Sequence, residues 1–376
     1  MLVEFILSVR IWTALTILAS IYYLLRRRRR SPFPIVNNYP NDFLRRKAYR
    51  ESRQNAKHLI TAGLATHHGG PITIAIPHNQ KIILPSSLTA WVKSNKDLDH
   101  KQLVREDFFA DIPGFEPQAL LHDPSCMLIN LINTKMGSSN ATVAAMHAAL
   151  SDGLPALWGG SDAQSWRRLN WHADTLGVIA RAASSVFAGP EKAADPEWLA
   201  IVQGYVGAYF AGVSDLHRYP AWARPVVHWF LPNVAVCRGY VARARAVMDG
   251  VLKGRREERE RAVREGREGP VYEDAVEWAE EASGGRAKAG DVQLSLAMAA
   301  LFTTAELFRQ LLVEVARRPE LVGQLRSEVE EQIEAQGITV AALSGMVLLD
   351  SFMKETQRLC SGPGTYILGF FALAFW

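Results

Sequence analysis

The sequence predicts a mainly helical fold with a small N-terminal sheet. Most of the chain beyond residue 100 is rich in Ala, Leu, Arg and Glu, residues that enter a helix at little cost. One short segment, 71–84, alternates apolar side chains with the period of a strand. Another, 294–308, reads LSLAMAALFTTAELF and is apolar on nearly every side, as befits a helix in the middle of a large domain.

The first element is a membrane anchor. Residues 5–25 read FILSVRIWTALTILASIYYLL, with Arg10 their only charge. As a helix, such a segment rises about 30 Å, one hydrocarbon core. Arg10 lies near one end, where a long side chain snorkels toward headgroups. Five arginines, 26–30, follow and resist translocation. Residues 1–30 are therefore expected to be a transmembrane anchor with a stop-transfer cluster, the rest of the chain lying in the cytosol. A cleaved signal peptide would carry its charges before a shorter apolar run. A core helix would not abut five arginines. Ser31-Pro32-Phe33-Pro34 reads as a stiff link, because proline cannot continue the helix. The sequon Asn140-Ala141-Thr142 bears on topology, since a glycan there would place the domain in a lumen.

Residues 41–65 look helical and polar. In 71–84, Ile72, Ile74 and Ile76 alternate, Pro77-His78-Asn79-Gln80 turn, and Lys81-Ile82-Ile83-Leu84 return, which predicts a hairpin. Further helices are expected over 140–153, 166–187, 196–212 and 234–267. Residues 253–268 are a nearly neutral run of Arg and Glu, read as a solvated helix or linker. The apolar stretch 294–308 is too short for a second membrane span.

Composition narrows the function classes. The net charge is +4, from 42 basic and 38 acidic residues. Removing the five arginines of 26–30 from that +4 leaves −1, so no basic face for nucleic acid remains. The three cysteines, Cys126, Cys237 and Cys360, form no CxxC pair, which argues against a zinc site or redox pair and for free thiols in a reducing compartment. HExxH, GxGxxG and Walker patterns are absent. So is an Asp-rich metal motif, which sets aside a terpene cyclase.

Two places could carry chemistry. In 347–359, VLLDSFMKETQRL, Leu348, Phe352, Glu355 and Leu359 fall within one narrow stripe at 100° per residue. A carboxylate on an apolar face is costly unless paired. Arg358 lies one turn on, which predicts a buried Glu355–Arg358 ion pair. Glu-x-x-Arg also occurs at Glu258–Arg261, Glu306–Arg309 and Glu314–Arg317, but none of these occupies such a stripe. Thr303 and Thr304 sit in the central apolar helix, where each hydroxyl can simply bond back to a carbonyl one turn earlier.

Together these segments resemble a family. LSLAMAALFTT with AELF, then ARRPELVGQLRSEVEEQI, then LLDSFMKETQRL resemble the oxygen-binding helix, the next helix and the Glu-x-x-Arg helix of the cytochromes P-450. The anchor, ITIAIPHNQKIILP, ADIPGFEP and YEDAVEWAEEA resemble its membrane-bound fungal members, which oxidise terpenoids and other secondary metabolites. The resemblance covers roughly residues 1–359. It implies a helical bundle around a haem pocket with a small N-terminal β-sheet, over a partial domain 31–359 that is incomplete at its C-terminus. It implies a haem (iron protoporphyrin) cofactor, an NADPH-dependent reductase, an apolar, terpenoid-like small-molecule substrate, and a single-pass endoplasmic reticulum protein facing the cytosol.

Carried over by residue, the resemblance places Ala299, Ala300 and Thr304 against the haem and matches Thr303 to the catalytic threonine that hydrogen-bonds dioxygen and helps deliver protons. The preceding position, often acidic in the family, is Phe302, a departure that breaks the usual proton relay. Glu355 and Arg358 match the structural ion pair. No Trp-x-x-x-Arg is found for a haem propionate. The family's thiolate, which favours O–O cleavage, lies in a Phe-x-x-Gly-x-Arg-x-Cys-x-Gly loop well downstream, and only 18 residues follow Arg358. Cys360 has Arg358 two before and Gly362 two after, but Thr356 and Met353 take the Gly and Phe positions. The axial cysteine is therefore expected to be absent, with no metal ligand assigned. Residues 360–376 read as an atypical apolar tail from an unspliced intron, a frameshift or a premature stop. The alternative to a monooxygenase is a non-catalytic, truncated, membrane-tethered helical remnant without haem. A truncated domain would also expose core surface and dissolve poorly.

Overall fold

The hairpin forms where the alternation of apolar residues places it. In this computed structural model β1 (Ile72–Ile76) pairs antiparallel with β2 (Asn79–Ile83), from Ile72 opposite Ile83 to Ile76 opposite Asn79. The described residues are 31–359, apart from 43–44, 77–78, 99, 122, 124, 138 and 160–167, together with 12, 13, 16, 17 and 20. Of the expected anchor, those last five positions are described, and they are helical. The arginine run 26–30 and the tail 360–376 lie outside the described residues.

The chain divides into two compact units, Met1–Leu98 and Asp99–Trp376. In the first, the hairpin turn is tighter than expected, because Asn79 and Gln80 already belong to β2. Strand β1 is also buried on both faces: Thr73 and Ala75 are as enclosed as Ile72 and Ile74. The reason is Asn37, a fully buried side chain that serves as a strand partner. Its Oδ1 accepts the Ala75 N–H at 2.8 Å, and its Nδ2 donates to the Ala75 and Ala48 carbonyls at 2.9 and 3.1 Å. Ile35 adds a parallel bridge to Thr73. The helical stretch is two helices, α1 (Arg46–Gln54) and α2 (Ala56–Thr66), broken at Asn55. Asn55 closes α1 through its backbone, its N–H donating to the Glu51 carbonyl at 2.8 Å.

The second unit is helical. Its longer helices are α3 (Asn140–Trp158), α4 (Trp171–Phe187), α5 (Pro196–Leu216), α6 (Pro232–Arg264), α7 (Ala275–Ser283), α8 (Ala289–Arg317), α9 (Glu320–Gln336), α10 (Val340–Gly345) and α11 (Val347–Leu359). Several starts follow directly from sequence. Asp195 caps α5 by accepting the Glu197 and Trp198 N–H groups, and Pro196 fits the first turn, which needs no donor. Pro232 opens α6 in the same way.

Helix α8 runs well beyond the apolar stretch 294–308. Its 29 residues make it, among the described residues, long and apolar enough to cross a membrane. In this unit it is instead the central packing element, set against α4, α5 and α6. The charged residues that hid its true length, Asp291, Arg309 and Glu314, are themselves buried through pairing. Trp198, Tyr205, Tyr209, Leu216, Met248, Leu294 and Leu301 form the surrounding core. Tyr209 and Tyr205 donate their hydroxyls to the Phe108 and Gly114 carbonyls at 2.8 and 3.3 Å, which fixes the preceding loop to α5. Gly290 lets α8 meet α6: a Cβ there would lie 2.5 Å from the Arg245 nitrogen. The same crossing carries a two-pronged Arg245–Asp291 pair at 2.7 and 2.8 Å.

The Arg/Glu run 253–268 is not uniformly solvated. Arg255 is buried, pairs with Asp274 through both prongs, and lies 3.5 Å from Glu277. The Tyr272 ring lies 4.2 Å from its guanidinium centre. Arg259 adds a bond to Glu277 at 2.6 Å, so two arginines of the run hold α7, one of them buried.

Candidate functional site

The middle of α8 changes character over a single turn. Residues 289–298 are buried on all sides. At Ala299 and Ala300 the helix becomes half-buried, and Thr303 and Thr304 are exposed, while Leu301 and Ala305 on the opposite side remain enclosed. Positions 299, 300, 303 and 304 share one face by helical geometry. The result is a small-residue face, two alanines and two threonines, open at the centre of an otherwise packed helix. The Thr303 hydroxyl donates to the Ala299 carbonyl at 2.7 Å, the backbone-satisfied arrangement typical of helical threonine. Phe302, in place of an acid, packs edge-on against Phe210 with ring centroids 5.8 Å apart and carries no proton.

The Glu355–Arg358 pair forms, with Arg358 Nε and Nη2 each 2.7 Å from a carboxylate oxygen. Its hydrogen bonds hold the Glu355 carboxyl below the usual range. The pair is not buried, however: its side chains are 53% and 68% exposed. Helix α11 turns its enclosed side, Leu349, Phe352, Met353 and Thr356, about a quarter turn from the stripe through Glu355. Tertiary contacts set that rotation. Glu328 on α9 accepts the Leu348 and Leu349 N–H groups at 2.6 and 2.8 Å, clamping the first turn of α11. The outer stripe instead borders a groove of about 260 Å³ between α8, α9 and α11, walled by Leu321, Leu325, Leu348, Phe352 and Leu359.

Among the described residues the Glu-x-x-Arg whose arginine is enclosed is Glu306–Arg309, its Glu306 side chain being 38% exposed. Arg309 is 10% exposed and bonds Glu306 at 2.6 and 3.2 Å and the Thr175 hydroxyl of α4 at 3.2 Å. Burial pushes the Glu306 carboxyl up, but bonds from Arg309 and Gln310 outweigh it and hold it below the ordinary range. A signal for this existed in sequence, since Glu306 and Arg309 continue the apolar run of the same helix. Beside them Trp158 stacks on Phe308, planes 5° apart.

Among the described cysteines, Cys237 is buried in the core, where burial pushes its thiol up to about 12. Cys126 lies 2.9 Å from Lys101 Nζ. Among the described residues no cluster of three His, Cys, Asp or Glu could hold a metal ion. The residues present that suit one side of a haem are those of the small-residue face of α8, two alanines and two threonines that are half-buried or exposed. The position expected for the axial cysteine lies outside the described residues.

Comparison with known proteins accounts for this arrangement. The family profile described as Cytochrome P450 matches residues 226–364, which include α8, α9 and α11. The chain is 31% identical over 362 residues to Cytochrome P450 monooxygenase hepE of Aspergillus oryzae, covering 92% of this chain and 64% of that protein. It is 30% identical over 357 residues to Cytochrome P450 monooxygenase pyr9 of Aspergillus fumigatus, covering 93% and 68%. It thus spans roughly two thirds of the length of these relatives. Among solved structures, retinoic acid bound cyanobacterial CYP120A1 superposes with a TM-score of 0.55 at 12% identity, over 88% of this chain and 70% of that one. The mainly helical architecture with its small sheet is that of the same fold. On these grounds the chain belongs to the cytochrome P450 family.

Proposed function

We propose that these residues belong to a membrane-anchored haem-thiolate monooxygenase, which inserts one oxygen atom of dioxygen into an apolar, terpenoid-like small molecule with electrons from NADPH through a reductase. The observation that carries the proposal is the open Ala299–Ala300–Thr303–Thr304 face on the central helix. When bound, the haem would supply dioxygen activation and electron acceptance; the Phe-x-x-Gly-x-Arg-x-Cys-x-Gly loop that holds its iron in the family is not found in this sequence.

The chain's own residues have definable tasks. Ala299, Ala300 and Thr304 would lie against a bound haem, their small side chains leaving room for it. Thr303 offers one hydroxyl proton, now committed to the Ala299 carbonyl at 2.7 Å. Rotation about its side chain frees that proton while Oγ1 still accepts another from solvent, since a hydroxyl has one donor and two acceptor sites. With Phe302 unable to relay, protons reach Oγ1 through water. Glu306 and Arg309 fix this turn of α8 against α4. Glu355 and Arg358 form the structural ion pair of the family pattern at the surface of α11.

The test is spectroscopic. Protein expressed with haem supply, reduced and treated with CO, is expected to show the red-shifted Soret band of a thiolate-bound haem. Haem-free protein without that band overturns the proposal in favour of a non-catalytic, membrane-tethered protein. The proposed cytosol-facing placement at the endoplasmic reticulum has its own check. The Asn140 side-chain carbonyl accepts the Val340 N–H at 2.9 Å, a bond that does not use Nδ2, the atom to which a glycan is joined, so the sequon remains a reporter of topology. Endoglycosidase treatment is expected to leave the mass unchanged; a loss of mass at Asn140 would put the domain in a lumen.

A further inference from the structure

We infer that the cleft between α7 and the short helix Met127–Leu131, with the turn that continues that helix, is a second binding site, made for a small soluble organic anion with a flat apolar body. The cleft holds about 560 Å³, a volume suited to enclosing a small molecule. Among the described residues none of α8 lines it, so it is separate from the open face of Ala299 and Thr303. One side of the cleft is apolar. Leu131 belongs to the buried cluster that packs Met127–Leu131 against α7 and α8, and Trp278 lies half-buried against the same cluster. Both line the cleft, and an indole stacks well on a flat ring.

The charges of the lining select the ligand's sign. Lys135 and Arg286, the latter just past the end of α7, both border the cleft, and among the described residues neither forms an ion pair. The one carboxylate of the lining, Asp123, already accepts the Ser125 N–H at 2.8 Å. Two cations against one engaged carboxylate leave an excess of positive charge, which draws an anion. Arg286 carries a planar fork of donors matched to two oxygens of a carboxylate, phosphate or sulfonate. The Asn130 side chain, also in the lining, adds uncharged donors. The wall bearing Lys135 has a further mark of a site. Ile132–Met136 form a π turn after Met127–Leu131. Such turns are rare and frequent at functional sites. The stretch INTKM contains no proline to force one. Ring-stacking surface, unpaired cations and an irregular wall thus meet in one cleft.

The probe is 1-naphthyl phosphate, with 1-naphthol and inorganic phosphate as its two halves. Equilibrium dialysis uses the full chain in phosphatidylcholine nanodiscs, with empty nanodiscs subtracted. Naphthyl phosphate is expected to bind about ten-fold tighter than either half, or more, because one molecule engages both sides of the cleft. Bound, it should slow hydrogen exchange of the 127–136 and 275–287 amides. Lys135→Gln with Arg286→Gln, both exposed side chains, should weaken it about ten-fold and leave thermal unfolding unchanged. Trp278→Leu should weaken naphthyl phosphate and 1-naphthol while inorganic phosphate binds as before. Inorganic phosphate binding as tightly as naphthyl phosphate means an adventitious ion only and overturns the inference. So does unchanged affinity in the double variant, or protection that falls elsewhere in the chain. Displacement of the probe by haemin assigns the two cations to porphyrin carboxylates, and displacement by phosphatidylserine vesicles assigns them to a lipid surface; either overturns it as well.

Discussion

Replacing Gly290 by alanine should destabilise the protein, although helix propensity alone points the other way. In a helix interior, alanine is favoured over glycine by about 1 kcal/mol. At Gly290 the added Cβ would lie 2.5 Å from the Arg245 nitrogen, 2.6 Å from its Cα and 2.7 Å from the Ala244 carbonyl carbon. All three are backbone atoms, so no side chain can swing aside. Ordinary contact needs about 3.5–4.0 Å, which requires α6 and α8 to part by roughly 1 Å. A gap of that size forfeits a quarter to a half of each dispersion contact it opens. Overpacking of this kind costs about 1–3 kcal/mol, and the rigid obstacle places this case near the upper end. Less the propensity gain, a net loss of about 1–2 kcal/mol is expected. The Arg245–Asp291 bonds, at 2.7 and 2.8 Å, stretch with the crossing and add to it. Gly254, on α6 with no atom within 4 Å of its added Cβ, is the control. Gly254→Ala should stabilise by about 0.5–1 kcal/mol. Thermal unfolding by circular dichroism reads both, at about 2–4 °C per kcal/mol. If Gly290→Ala stabilises as much as Gly254→Ala, the close crossing does not exist.

Other outcomes follow from named contacts. Arg255→Met should cost about 3–5 kcal/mol by stranding the Asp274 carboxylate, and adding Asp274→Asn, which removes that charge but keeps the side-chain oxygen that accepts the Glu277 N–H at the start of α7, should recover part of it; denaturant midpoints of the two variants check this. Glu306 is held below its ordinary value of 4.5, so its ion pair contributes stability above that pH and loses it as pH falls through the lower folded value. Glu306→Gln should therefore flatten the dependence of Tm on pH below about 4.5, and an unchanged acid limb would show that the pair is not formed. In the haem-loaded protein, Thr303→Ala should leave haem content unchanged and lower product formation by about 10²-fold, the range for a positioned proton donor; equal turnover would remove Thr303 from catalysis.

Local pattern made much of the fold legible. Proline and capping aspartate set the start of α5, and isoleucine alternation set the hairpin. The limits of α8 were harder to read. Asp291, Arg309 and Glu314 look like helix-end charges in a one-dimensional reading, yet each is paired and enclosed within a helix that runs past them. Arg255 was hidden for a related reason. In a run of alternating charges every arginine looks alike, and only the return of Asp274 from across a loop singles one out.

The sequence alone determined a mainly helical chain, because helix periodicity depends only on neighbours along it, and its motif strings carried the resemblance to the cytochromes P450. Tertiary structure alone decided which Glu-x-x-Arg pair is enclosed. Periodicity names a helix's apolar stripe, but its rotation is fixed by partners distant in sequence. Glu328 clamps α11 so that Glu355 faces outward, and α4 receives Arg309 from α8. About a quarter turn of rotation separates a solvated ion pair from a buried one, and no local pattern records it.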